Sequence, residues 1–216
     1  YKEEKYLENC LRSIRSQIFR NYEIIVVDSE SKDKTVSIAK RFADKVIVIR
    51  ERNIARAKNV GFNLSKGKYV IFLDADTILL PHSLEEVKKF LVQNKNVSLL
   101  TSILMVDKIF FSSLLFLIVY NVFSKLFKQV LGCFMCVKRE DFIRVGKFNE
   151  ELKVGEDIEF SSRISKIGKV IFLNKILFIT SSRRIEKDGF AGLIKSLKNY
   201  LEIKILKRNI DYKAIR

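Results

Sequence analysis

Three carboxylates stand directly after short apolar segments that have the composition of buried strands. Asp28 follows residues 24–27, and Asp74 and Asp76 follow Tyr69–Leu73. The carboxyl ends of strands in an α/β protein meet at the sheet edge where ligands bind, so we expect these side chains to converge there. Two carboxylates one residue apart can share a hard cation and the diphosphate that it bridges. An Asp-x-Asp string is also common in solvated strand-end turns, but its strand-end position, together with Asp28, favours a converging acidic site.

A second acidic group opens a helix that we predict over residues 157–167. It reads Gly155-Glu156-Asp157-Ile158-Glu159-Phe160. Acidic side chains in a first helical turn complement the positive end of the helix dipole, and that role needs no chemistry. Asp157 could instead act as a general base, if burial beside Glu156 keeps it basic and an acceptor lies within hydrogen-bond reach. The residues alone leave both readings open.

The other residue types with chemical potential carry weaker signals. His82 is the single histidine and follows Pro81 at a predicted helix start, which favours a capping or surface role over metal ligation. Cys133 and Cys136 form a Cys-x-x-Cys pair, but Cys10 is the one further cysteine, so a structural zinc site would lack ligands. We expect small buried thiols.

Helices and short β-branched strands alternate along the first hundred residues. Such alternation predicts an α/β fold with a mostly parallel sheet flanked by helices. From residue 109 the pattern changes to a Phe- and Leu-rich segment over 109–127 that is apolar around its whole circumference, followed by a strand-like stretch over 130–137. The predicted order before that point is helix 7–18, strand 24–27, helix 36–43, strand 46–49, a helix through residues 57–64, strand Tyr69–Leu73, a helix after Pro81 and a strand over 97–104.

The charge balance predicts a polyanionic partner. The 216 residues include 41 Lys and Arg against 25 Asp and Glu, a formal net charge of +16. Nucleic acid, an anionic membrane surface and phosphorylated substrates all fit that charge. The segment over 186–216 is basic and carries apolar residues at helical spacing. This pattern is more typical of a helix on a membrane surface than of a helix that binds in a groove of a nucleic acid.

Five ordered motifs resemble family 2 of the inverting glycosyltransferases, which have the GT-A fold. The resemblance implies transfer of a sugar from a nucleotide-sugar donor to a hydroxyl acceptor, with inversion at the anomeric carbon and a divalent cation, Mg²⁺ or Mn²⁺, on the diphosphate. The motifs are Val26-Val27-Asp28, Ala57-Lys58-Asn59-Val60-Gly61, Gly67 through Asp76, Gly132-Cys133-Phe134-Met135 with Val145-Gly146-Lys147-Phe148, and Gly155-Glu156-Asp157.

The same resemblance implies a role for each matching residue. Asp28 would hold the nucleotide base, Asp74 the ribose or donor sugar, and Asp76, with Asp74 beside it, the cation. Asp157 would be the catalytic base. The remaining matches are Tyr1, Glu3, Lys58 and Arg184 as donor-binding residues, with Glu156 and Arg183 in support.

This chain departs from the family pattern at several points. The family opens with a strand and then Pro-x-Tyr-Asn-Glu, whereas this sequence starts at Tyr1-Lys2-Glu3, so we expect the first strand to be missing. Lys58 stands where the family has arginine, which keeps the charge but loses the two-pronged geometry for phosphate. The Gln-x-x-Arg-Trp signature of processive synthases is absent, and Ser181-Ser182-Arg183-Arg184 occupies that neighbourhood.

We therefore expect a GT-A catalytic domain over 1–185, with 109–127 as an apolar helical insertion, and a basic amphipathic appendage over 186–216. The predicted enzyme is peripheral to the cytoplasmic face of the cell membrane, binds an anionic membrane surface, and acts on an acceptor that is lipid-linked or a glycan. We expect no nucleic-acid partner. Two alternatives are a basic nucleic-acid- or membrane-binding module without catalysis, and a metal-dependent nucleotidyltransferase, which usually needs a Gly-rich phosphate loop that this chain does not show near its start.

Overall fold

The computed structural model describes residues 1–189, and the predicted appendage from residue 190 onward lies outside them. Its elements form an α/β fold with helices on sheets, as predicted. The strands are β1 (Ile25–Asp28), β2 (Lys45–Val48), β3 (Tyr69–Leu73), β4 (Thr77–Leu79), β5 (Val97–Ser102), β6 (Phe134–Lys138), β7 (Lys169–Leu173) and β8 (Phe178–Thr180). The helices are α1 (Leu7–Arg15), α2 (Thr35–Phe42), α3 (Ile54–Leu64), α4 (Ser83–Gln93), α5 (Phe111–Phe127), α6 (Arg139–Arg144) and α7 (Glu156–Ile164).

The sheets are mixed, which corrects the prediction of a mostly parallel sheet. A four-stranded sheet has the order β3-β6-β5-β7, and two strand pairs, β1-β2 and β4-β8, lie beside it. Pairs β1-β2 and β5-β7 are parallel, while β6 runs antiparallel to both of its neighbours and β4 runs antiparallel to β8. Continuous apolar runs are typical of parallel strands because both faces are covered. Strand β6 has such a run and is buried on both faces, but it runs the other way.

An aromatic cluster fixes the helices that carry the candidate catalytic residues. The rings of Phe62, Phe72, Phe142, Phe148 and Phe160 lie with neighbouring centroids 4.4–5.2 Å apart. Phe62 belongs to α3, Phe72 to β3 and Phe160 to α7, so the cluster joins both helices to the central sheet. Aromatic pairs in this geometry add to the stabilisation that burial gives. The packing holds α3 and α7 in a fixed relation.

Helix α5 confirms that the segment over 109–127 is helical, although the helix begins at Phe111. The structure separates its faces, although its sequence is apolar all round. Leu117 is 6% exposed and packs in the main core, whereas Phe111 is 85% exposed. Among the described residues, no helix combines the length and the apolar character needed to cross a bilayer.

Candidate functional site

All of the predicted site residues except Asp28 line one cavity of about 2480 Å³. Strands β1 and β3, which belong to different sheets, both contribute residues to its wall. The predicted site residues that line it are Tyr1, Glu3, Lys58, Asp74, Asp76, Glu156, Asp157, Arg183 and Arg184. The cavity is larger than most small-molecule pockets, which measure ~300–1,000 Å³, so it has room for two substrates.

The loop after β3 forms the acidic end of the cavity. Asp74 N–H donates to the carbonyl of Cys133, and Thr77 N–H donates to the carbonyl of Asp74, so the turn that carries both aspartates is fixed by backbone hydrogen bonds. Burial raises the pKa of Asp76 to about 6, the neighbouring Asp74 charge adds to that rise, and Arg183 opposes it. At neutral pH the two carboxylates therefore form a site that favours added positive charge.

Arg183 contacts this acidic end. Its Nη2 lies 2.8 Å from Glu3 Oε1 and 2.9 Å from Asp76 Oδ2, so it bridges the two carboxylates. The second oxygen of Glu3, Oε2, is buried without a hydrogen-bond partner in the described part of the chain. An orphaned carboxylate oxygen next to Asp76 is a place where a ligand donor or a cation would be stabilised.

The donor set fits a divalent cation held jointly with a substrate. No group of three or more His, Cys, Asp or Glu side chains within residues 1–189 could hold a metal by itself. Mg²⁺ is usually bound by one or two carboxylates together with substrate phosphates and not by an all-protein cage. Asp74 and Asp76, with the orphaned oxygen of Glu3 close by, supply that kind of oxygen set.

Asp157 lies at the start of α7 and lines the same cavity. Its Oδ2 accepts a hydrogen bond of 2.7 Å from the N–H of Gly132, and its Oδ1 accepts one of 2.8 Å from the N–H of Ile158. Burial raises the pKa of Asp157 to about 6, the Glu156 charge raises it further, and Lys58 opposes the rise. A half-buried carboxylate with this pKa is ionised at neutral pH and basic enough to take a proton.

Lys58 and Glu156 form a buried ion pair beside Asp157. Lys58 Nζ lies 2.8 Å from Glu156 Oε1, and the two side chains are 12% and 8% exposed. Burial disfavours the ammonium, but the charges of Glu156, Asp74 and Asp157 raise the pKa of Lys58 above its ordinary value. Burial also disfavours the Glu156 carboxylate, and the charge and hydrogen bond of Lys58 hold its pKa below the ordinary value. The pair is therefore ionised, and its two charges act in opposite directions on the pKa of Asp157.

Gly132 is a site residue to which the sequence assigns no role. A Cβ at this position would lie 2.6 Å from Lys58 Nζ and 3.3 Å from Asp157 Oδ2. The absence of a side chain lets both charged groups approach the backbone, and the N–H of Gly132 orients the carboxylate. Its position in the Gly132-Cys133-Phe134-Met135 motif is the one feature of the sequence that could have indicated this role.

Two of the predicted donor contacts, Tyr1 and Asp28, already have hydrogen-bond partners within the protein, and Tyr1 lines the cavity whereas Asp28 does not. The Tyr1 hydroxyl accepts a hydrogen bond of 2.8 Å from Arg52, whose guanidinium stacks on the same ring at 4.2 Å. Asp28 is buried, and Ser31 donates to both of its oxygens at 2.7 and 2.6 Å. Asp28 thus shapes the loop after β1, and its contact with a nucleotide base stays a prediction.

The structure also shows where the two adjacent arginines, the cysteines and the histidine lie. Arg184 lines the cavity, and its charge helps to lower the pKa of Glu156, while Arg183 makes the direct acidic contacts. The three cysteines, Cys10, Cys133 and Cys136, are free and buried, as predicted. His82 is exposed and contacts Glu85, in agreement with a surface role.

The family model described as glycosyl transferase family 2 matches residues 1–132, which is more than half of the chain. The chain belongs to glycosyl transferase family 2. An uncharacterised glycosyltransferase of Rickettsia typhi is 27% identical over 191 residues, a match that covers 82% of this chain and 60% of that protein. The chain thus spans about 60% of the length of this relative.

Solved structures show the same GT-A fold. The mannosyltransferase PcManGT from Pyrobaculum calidifontis, in complex with GDP-Man and Mn²⁺, superposes with a TM-score of 0.74 at 22% identity and covers 100% of this chain and 63% of its own. Residues 1–349 of S. aureus TarS in complex with UDP-GlcNAc give a TM-score of 0.70 at 18% identity, over 99% of this chain and 66% of the other. At these identities the likeness concerns the fold, so the site chemistry must be argued from the residues of this chain.

Proposed function

We propose that this glycosyltransferase moves a sugar from a nucleotide-sugar donor to a hydroxyl group of an acceptor, with inversion at the anomeric carbon. One observation carries the proposal: a carboxylate with the basicity of a general base, Asp157, lines the same cavity as the acidic turn of Asp74 and Asp76. The donor class is supported by the fold neighbours, which were solved with GDP-Man and UDP-GlcNAc.

Asp157 takes the proton from the acceptor hydroxyl in this mechanism. The hydroxyl oxygen then forms a bond to the anomeric carbon, while the bond from that carbon to the donor's diphosphate oxygen breaks and the nucleoside diphosphate leaves. The N–H groups of Gly132 and Ile158 keep the Asp157 carboxylate oriented throughout. The Lys58–Glu156 pair keeps the local charge balanced, and no covalent intermediate with the enzyme is needed.

Asp76 and Asp74 would hold a divalent cation, Mg²⁺ or Mn²⁺, when the donor is bound. The cation would neutralise charge that develops on the leaving diphosphate. Arg183 bridges Asp76 and Glu3 and so keeps the acidic turn in place. Tyr1, Glu3, Lys58 and Arg184 line the cavity and are the proposed contacts of the donor. Asp28 supports the loop that would bind the base, through its hydrogen bonds with Ser31.

Thermal stabilisation by nucleotides tests the proposal. Mn²⁺ with UDP or GDP should raise the melting temperature more than either component alone, and Asp76→Asn should lose most of this joint effect. Glu140→Gln is the matched control, because Glu140 is an exposed carboxylate paired with Lys138 away from the cavity. Equal responses of the wild type and Asp76→Asn would show that Asp76 does not hold the cation.

We also propose a peripheral location at the cytoplasmic face of the cell membrane, with a lipid-linked acceptor. Two features support it: the net charge of +16, which suits an anionic membrane surface, and the position of α5. Phe116, Tyr120 and Phe123 of α5 line the cavity, while its opposite side is exposed to solvent. An acceptor anchored in a bilayer at that exposed side would enter the cavity next to α5.

A further inference from the structure

One side of α5 exposes a continuous apolar stripe. Its five members follow at intervals of three or four residues, so they lie in one row along the helix. The row spans sixteen residues, or ~22 Å at the rise of an α-helix. The stripe consists of Phe111, Leu114, Ile118, Val122 and Leu126, which are 85%, 48%, 56%, 56% and 71% exposed.

The other side of α5 is anchored to the protein by specific contacts. The side chain of Asn121 accepts a hydrogen bond from Leu104 N–H and donates one to the Leu104 carbonyl, at 2.9 and 3.1 Å. The Tyr120 hydroxyl accepts a hydrogen bond of 2.9 Å from Leu131 N–H, and Leu117 is buried in the core. These contacts fix the rotation of the helix, so the stripe faces solvent because of the fold.

The charged residues on α5 and directly after it are positive, whereas Lys108 before it pairs with Glu186 at 3.1 Å. Lys108 precedes α5, Lys125 lies in its last turn and Lys128 follows it, and all three are exposed. Residues 108–139 contain no Asp or Glu. A contiguous exposed apolar patch marks an interaction surface, and lysines at its rim select a negatively charged one.

We propose that the stripe docks α5 on the surface of an anionic lipid bilayer, with the helix axis in the plane of the membrane. The assignment rests on the proposed membrane location and is independent of the transfer chemistry. A bilayer satisfies both features at once, because the apolar row enters the acyl boundary while the lysines meet anionic headgroups. A second copy of the chain fits less well, since two α5 helices side by side would bring lysines together without an acid on either helix.

Vesicle co-sedimentation tests the docking surface. The wild type should sediment with vesicles of phosphatidylglycerol and phosphatidylcholine in equal parts, and much less with phosphatidylcholine alone. The double variant Ile118→Ser with Leu126→Ser should bind the anionic vesicles at least roughly tenfold more weakly, because two exposed apolar side chains no longer leave water. Added salt should weaken the binding of the wild type without abolishing it, since apolar burial is not screened.

The matched control is the double variant Ile18→Ser with Ile143→Ser. Ile18 and Ile143 are 57% and 54% exposed, as the stripe residues are, but lie outside α5. The control should sediment as the wild type does. Wild type that stays in the supernatant at low salt, or a stripe variant that binds undiminished, would overturn the proposal. The second outcome would assign binding to another surface, such as the basic segment over 186–216.

Two further measurements separate the remaining explanations. Light scattering should show the same mass for the wild type and the stripe variant; a wild-type dimer that the variant converts to monomer would show that a second copy covers the stripe, against the proposal. The Mn²⁺ and nucleotide response of the stripe variant should equal that of the wild type. If the wild type lacked that response but still bound vesicles through the stripe, the donor proposal would fail while the docking surface stood.

Discussion

Replacement of Lys58 by glutamine should expose how strongly the buried ion pair supports both the fold and the base. The ammonium lies 2.8 Å from Glu156 Oε1, and both side chains are nearly buried. Removing one partner of a buried ion pair leaves an uncompensated charge and costs about 3–5 kcal/mol. With a denaturant slope of about 2 kcal/mol/M, the urea midpoint should fall by roughly 2 M.

The loss of stability in Lys58→Gln should depend on pH, and the direction of this dependence follows from the pKa of Glu156. In the wild type Lys58 holds the pKa of Glu156 below its ordinary value, so the pair contributes stability that is lost only as the pH falls through that low value. Without Lys58, burial raises the pKa of Glu156. The penalty in the variant is then fully present above the raised pKa and disappears as the pH falls through it, so the variant should recover relative stability in mild acid.

Urea unfolding at neutral and mildly acidic pH, combined with a double-mutant cycle, measures these effects. Lys58→Gln with Glu156→Gln should regain most of the lost stability, because neither charge is then buried alone. Lys58→Arg keeps the charge and should stay near the wild type. If the single and double glutamine variants unfold at the same urea concentration, independent of pH, the ion pair is not the origin of the stability and the reasoning is wrong.

Three further outcomes follow from the site. Asp157→Asn should retain nucleotide and Mn²⁺ stabilisation but lose transfer by roughly 10²–10⁴-fold; near-wild-type turnover would exclude it as the base. The Mn²⁺-dependent stabilisation should weaken as the pH falls through about 6, since Asp76 takes up a proton there; a response that is constant in thermal shift titrations across this range would contradict the assignment. Gly132→Ala should lower kcat, because its Cβ would lie 2.6 Å from Lys58 Nζ, whereas Gly61→Ala meets only a Val27 methyl at 3.3 Å; equal kcat values for the two variants would refute it.

The acidic turn could be predicted from sequence because its signal is local. A buried strand followed at once by two carboxylates places Asp74 and Asp76 at a sheet edge whatever the rest of the chain does. The signal for the helix start at Glu156 is also local, because the acidic residues of the first turn directly follow a glycine. What each of these groups contacts depends on residues far away in the sequence.

The ion pair and the sheet direction show why the rest could not be predicted. Lys58 and Glu156 are separated by 98 positions and meet because the aromatic cluster packs α3 against α7. The predicted strand over 130–137 is apolar throughout, yet β6 begins only at Phe134, and the residues before it form the loop whose Gly132 N–H binds Asp157. Hydrophobicity indicates burial, but it encodes neither the direction of β6 nor the boundary of that loop.

Two carboxylates with raised pKa values in one cavity carry a free-energy cost that a bound ligand would remove. The pKa of Asp76 rises from 3.8 to about 6, which corresponds to about 3 kcal/mol of destabilisation for the ionised form. Because the folded-state pKa is the higher one, this cost is absent below the unfolded pKa and complete above about 6. A cation that bound Asp76 would offset the cost only at pH values where Asp76 is ionised. Arg183 offsets part of it through its contacts with Asp76 and Glu3, so the acidic turn stays folded before the donor arrives. The cost that remains comes first from the burial of Asp76 and then from the charge of Asp74, and it is the free energy with which the site would favour a divalent cation.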